Sequence, residues 1–185
     1  GFVAPFLEKK LPEGLNLIVG ALAIAPLARI IAIAVDPVVN STLLNIGRMI
    51  SAAAEQSPLI MGFLLGGIMK MICTSPLSSM ALTAMLGLDG LAMGIAAIAC
   101  VGGSFTNGII FDRLKLGERS NVMAVMLEPL TQADIITQNP IPIYGSNFFG
   151  GGLAGLAAAM LGIINNAPGT ASPIPGLLAP FGFNP

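Results

Sequence analysis

GLAMGIAAIACVGGSFTNGII, residues 90–110, decides the fold. No charge interrupts these residues, and about 20 mostly apolar residues are what a helix needs to cross the hydrocarbon core of a bilayer. Three more stretches read the same way. Leu15 to Val35 has the length, interrupted by Pro26 and Arg29; Pro58 to Thr74 is shorter, holds Lys70 and opens with a proline suited to a first helical turn. Ile143 to Ile164 is the fourth, with a glycine run at Gly150, Gly151 and Gly152.

Composition agrees. The 185 residues are 55% hydrophobic and 9% charged, with a mean hydropathy of +0.87. A soluble domain carries about a quarter charged residues, so this chain cannot cover a water-exposed surface of its size. Net charge is −1, with short clusters at Glu8-Lys9-Lys10 and from Asp112 to Arg119. Without a basic stripe or basic–aromatic alternation, nucleic-acid binding has no support. Cys73 and Cys100 sit in apolar segments outside any C-x-x-C pattern and read as small packing residues. The chain has no histidine, which excludes the usual zinc arrangements and His-dependent triads. No metal site and no cofactor is expected. It opens on Gly1 with no charged n-region or cleavage site, so the start reads as a fragment boundary or processed terminus.

The predicted fold is all-α: a polytopic transmembrane helical bundle, one membrane-embedded domain over 1–185, with broken or re-entrant helices and an amphipathic interfacial helix. Gly62/Gly66, Gly90/Gly94 and Gly151/Gly155 are small-xxx-small pairs, which let helix backbones approach closely in lipid. Val39, Leu43, Ile46, Ile50 and Ala53 recur at spacings of four and three, opposite Ser41, Asn45, Arg48 and Glu55, which marks the amphipathic helix. The sequon Asn40-Ser41-Thr42 falls on that helix and is read as chance. Ser75 to Leu88 is hydroxyl-rich and too short to cross. Ser120 to Pro142 is broken by Pro129, Pro140 and Pro142, and the tail from Asn165 reads as a surface loop or the run-up to a further element. Broken backbone at membrane depth persists only against protein or a water-filled cavity, so such segments point to a binding site. Arg113, Lys115 and Arg119 favour a cytoplasmic loop, as do Lys9 and Lys10. Three crossings would separate the two groups unless residues 75–88 supply another.

Ionisable groups inside the hydrocarbon are functional candidates by default. Arg29 is expected to pair with Asp36, Lys70 to snorkel from its helix end, and Asp89 to cap the helix that follows it. Glu128 ends an uncharged run and precedes Pro129, which biases it away from helical geometry. Its carboxylate suits hydrogen bonds from sugar hydroxyls, or general-base work. An interfacial glutamate facing water fits the same facts.

Glu128-Pro129 followed by Asn139-Pro140 in a loop–helix element resembles the membrane-embedded permease of bacterial sugar phosphotransferase systems, the enzyme IIC type. The order of Pro58-Leu-Ile-Met-Gly-Phe, Thr74-Ser-Pro-Leu-Ser-Ser-Met-Ala-Leu, Met85-Leu-Gly-Leu, Asn139-Pro140 and the Pro/Gly-rich Asn166 to Gly176 resembles a divergent branch of that family. The resemblance covers roughly Pro58 to Gly176. It implies a homodimeric permease in the bacterial inner membrane, crossing it several times and moving a sugar that a partner IIB subunit phosphorylates. Carried over, Glu128 would bond the hydroxyl that receives the phosphoryl group and Asn139 would line the same site. Ser75 and Ser78 are added on polarity and position. Permeases of this type place a histidine near that hydroxyl, and this chain has none. It also carries no phosphoacceptor domain and is shorter than a complete permease, which leaves enzymatic activity open. The alternatives are a non-transporting sensor on the same scaffold and a structural membrane subunit.

Overall fold

The structure, a computed structural model, describes the backbone of residues 15–185 and the side chains of Leu22 and of residues 25–185. The Glu8-Lys9-Lys10 cluster lies outside the described residues. Every described element is helical: α1 (Leu15–Gln56), α2 (Pro58–Thr74), α3 (Ser79–Leu86), α4 (Gly90–Arg113), α5 (Arg119–Leu127), α6 (Ala133–Gln138), α7 (Pro140–Met160) and α8 (Pro173–Leu178), with 3₁₀ turns at Pro129–Gln132 and Ala179–Gly182. This is an all-α membrane helical bundle. Two helices are long and apolar enough to cross a membrane, Ala25–Gln56 within α1 and all of α4; α2 is a shorter apolar helix. The chain divides into two compact units, residues 1–42 and 43–185.

In the first unit, α1 passes through Pro26 and Pro37 without ending. In lipid a helix is the one open-chain conformation that satisfies its own backbone, and the hydroxyls of Ser41 and Thr42 donate to the Val38 carbonyl just past Pro37. The expected Arg29–Asp36 pair is replaced. Asp36 accepts from Asn40 Nδ2 at 3.2 and 3.3 Å, while Arg29 borders the same surface groove.

In the second unit the amphipathic stretch is the end of α1, not a separate interfacial element. Its packed face is Leu43, Gly47, Ile50 and Ala54, at helical spacing. Gly47 replaces the expected Ile46 because the Leu86 carbonyl lies where a Cβ would stand. Around α4 the core is small: Ala92, Ala96, Ala97, Ala99 and Cys100 are fully or almost fully buried. α2 and α7 run antiparallel in close contact. A Cβ at Gly66 would stand 2.6 Å from the Gly151 carbonyl oxygen, and one at Gly62 would stand 2.9 Å from that of Gly155. Two of the three glycine pairs, Gly62/Gly66 and Gly151/Gly155, therefore meet each other across one intramolecular interface. Gly94 admits the Ile163 carbonyl, whereas Gly90 takes a φ of +54° at the helix start.

Thr74 lies beside Asn107 and Lys70 beside Cys100, so α2 and α4 run parallel. Residues 75–89 must then return the chain from the C-terminal end of α4 to its start. The eight-residue α3 covers about 12 Å of this return. Asp89 occupies the N-cap position of α4, but its side chain makes no capping bond. Asn166 Oδ1 accepts from Gly90 N–H instead, and Asn165 N–H donates to the Gly90 carbonyl. The tail is accordingly folded. Asn165 is buried, and α8 approaches α4 where Gly176 faces the Ala97 carbonyl.

Candidate functional site

Glu128 ends α5 and begins the 3₁₀ turn Pro129–Gln132, with an extended φ/ψ of −148°/95°. The following proline forces that geometry. The turn is held in place from both sides. Glu118 and Asn121 form a capping box at the start of α5, and Asn121 Nδ2 donates to Gln132 Oε1 at 2.7 Å. Glu128 itself is exposed. Among the described residues its carboxylate accepts one long hydrogen bond, 3.5 Å from Leu130 N–H. Most of its lone pairs are left for a ligand.

A cavity of about 240 Å³ opens at this carboxylate, lined by Cys73, Ser78, Ser79, Glu128, Leu130 and Ser172 among others. Three broken segments meet there: the turn before α3, the turn after α5, and the loop before α8. Ser79 ties the first to the last, its hydroxyl donating to the Ala171 carbonyl at 2.6 Å. Of the sequence-predicted residues, Glu128 and Ser78 share this cavity. Ser78 also caps α3, its Oγ accepting from Ala81 N–H at 3.1 Å. Ser75 and Asn139 lie outside its lining. Ser75 Oγ donates to the Ile72 carbonyl at 2.7 Å, and Asn139 Nδ2 donates to that of Ile135 at 3.1 Å, at the junction of α6 and α7. Ser79 and Ser172 were not anticipated; Ser79 belongs to the hydroxyl-rich stretch 75–88, and Ser172 to the tail read as a surface loop or the run-up to a further element.

Lys70 departs furthest from expectation. It is fully buried and does not snorkel. Its stem lies between Gly103 and Gly151, and Nζ donates to the Cys100 carbonyl at 3.3 Å. It sits one turn before Cys73 on α2.

One turn further on, Asn107 Nδ2 donates to Thr74 Oγ1 at 3.2 Å, and Asn147 Nδ2 donates to Asn107 Oδ1 and to the Ile143 carbonyl. These three side chains are buried and join α2, α4 and α7, while Asn147 Oδ1 has no partner among the described residues. Asn107→Leu is expected to destabilise the bundle by about 1–3 kcal/mol, because it strands polar atoms on two neighbouring helices. Thermal denaturation followed by circular dichroism measures this; an unchanged midpoint would mean the network contributes nothing.

The lining combines one under-used carboxylate with serine hydroxyls, which suits a hydroxylated solute and supplies no metal cluster among the described residues. No curated protein and no solved structure matches the chain. A family model described as "Phosphotransferase system, EIIC" matches residues 1–185. The chain therefore belongs to the EIIC family, the membrane permeases of the phosphotransferase system.

Proposed function

We propose that this permease binds a small polar solute, a sugar, in the cavity of Glu128 and Ser78 and carries it across the bacterial cytoplasmic membrane. It would do so as a multi-pass homodimer, with a IIB subunit supplying the phosphoryl group. The observation that carries the reading is the Glu128 carboxylate, free of strong partners among the described residues at the junction of three broken segments. A carboxylate accepting hydroxyl protons makes charge-assisted hydrogen bonds, about twice as strong as neutral ones. The cavity is smaller than the roughly 300–1,000 Å³ of drug-sized sites, which fits a single small ring. Asn139 and Ser75 act at the hinges of the flanking segments in this reading, beside the cavity and not in it.

A thermal-shift screen of the detergent-purified protein against sugars, polyols and carboxylates tests it. A sugar at 100 times its Kd should stabilise wild type by about 2.7 kcal/mol. Glu128→Gln should weaken that ligand by roughly 10- to 100-fold without unfolding the protein. Undiminished binding by the variant would sink the assignment. The absence of histidine favours a second reading, a non-transporting sensor on the same scaffold. Ligand binding without flux in proteoliposomes would select it.

A further inference from the structure

The proposed site uses neither cysteine, yet the fold brings both to one place. Cys73 on α2 and Cys100 on α4 are free thiols, 27 positions apart, and both are buried in one core cluster. Lys70 Nζ bonds the Cys100 carbonyl and so braces the two helices at this level. The thiols differ in access: Cys73 forms part of the wall of the Glu128 cavity, whereas Cys100 is wholly buried behind it. A small oxidant entering the cavity meets Cys73 first, with a second thiol in place to resolve the product.

We propose that Cys73 and Cys100 are an oxidisable thiol pair, converted by a hydroperoxide into a disulfide that joins α2 to α4. The Cys73 sulfur attacks the peroxide, the O–O bond breaks, an alcohol or water leaves, and Cys73 becomes a sulfenic acid. The Cys100 sulfur then attacks that sulfur, the S–O bond breaks, water leaves and the S–S bond forms. Two thiols and one hydroperoxide are consumed; a thiol or phosphine reductant restores both thiols. Because Cys73 is a lining residue, the bond redraws the cavity wall and blocks the solute. That consequence alone rests on the proposed function.

The test treats wild-type protein in detergent with hydrogen peroxide, then unfolds it and counts alkylatable thiols. The count should fall from two to none, return to two with reductant, and leave one intramolecular peptide pair containing Cys73 and Cys100. Cys100→Ser should stop at a sulfenic acid on Cys73, trapped by a cyclic diketone, while in Cys73→Ser the remaining thiol should stay alkylatable. Two intact thiols in treated wild type, or thiol loss without the cross-linked peptides, would overturn the proposal. A disulfide that forms while ligand binding persists would overturn the blocking of the cavity and leave the solute site standing. Absence of ligand binding in the reduced protein would count against the solute site alone.

Discussion

Gly66→Leu is expected to prevent α2 and α7 from packing and to leave no cooperatively folded bundle. At Gly66 a Cβ would meet the Gly151 carbonyl oxygen at 2.6 Å and the Gly155 Cα at 2.9 Å. Both are backbone atoms, so no side-chain rotation relieves the clash and the helices must separate. Overpacking of ordinary cores costs about 1–3 kcal/mol. Separating two helices along their length also forfeits the dispersion contacts that drive association in lipid, so the loss should exceed about 3 kcal/mol. Thermal and dodecyl sulfate denaturation by circular dichroism measure it. Two controls on the same helices isolate the cause. Gly145 on α7 has open space where a Cβ would stand, and Ile68 on α2 is half exposed. Gly145→Ala and Ile68→Leu should leave the midpoint unchanged or slightly raised. If Gly66→Leu melts with wild type, the close approach of α2 and α7 is wrong. The interface is internal, so this variant does not report assembly with another subunit.

What could be read from the sequence follows the range of the interactions concerned. The proline at 129 acts on its immediate neighbour, so the extended backbone of Glu128 was legible. The glycine spacings were legible too, because they depend on one helix turn. Their partners were not: nothing local says that Gly62 and Gly66 meet Gly151 and Gly155 rather than another protein. Asp89 was placed correctly at a helix start, but its side chain makes no cap, and Asn166, far along the chain, binds the first helical N–H, that of Gly90. The span over 15–35 and the amphipathic stretch from Val39 read as separate segments, yet one helix continues through Pro37, since propensity in water undervalues backbone hydrogen bonding in lipid. In the candidate site, Glu128 and Ser78 stood out by chemistry and by the broken segments they occupy. Ser172 and Cys73 join them only through tertiary packing. Asn107 and Asn147 looked like ordinary residues of apolar spans because a buried amide is explained only by its partner, here 40 positions away.

Lys70 gives the sharpest case, because a slot for a buried lysine exists only where three helices meet. A Cβ added at Gly103 would lie 2.5 and 2.6 Å from Lys70 Cδ and Cε, and one added at Gly151 would meet its Cβ and Cγ. The stem has a glycine on either side and no space to retreat. Gly103→Ala should therefore destabilise the protein by about 1–3 kcal/mol, at the level of an overpacked core. Lys70→Ala opens the slot. It removes the Nζ bond to Cys100 and leaves a cavity, at a cost within the roughly 2–5 kcal/mol of large-to-small core changes. The two losses should not add. In the double variant the new methyl occupies space vacated by the lysine stem, and the coupling should be favourable by about 0.5–3 kcal/mol. Lys70→Met with Gly103 intact separates volume from chemistry. It keeps most of the stem, removes a buried amine and should be near neutral or stabilising, as apolar replacements of buried charged groups often are. Melting midpoints of the four members of the cycle and of Lys70→Met decide the matter. Strict additivity would mean that Lys70 does not lie against Gly103, and the lysine would then have to reach the bilayer surface after all.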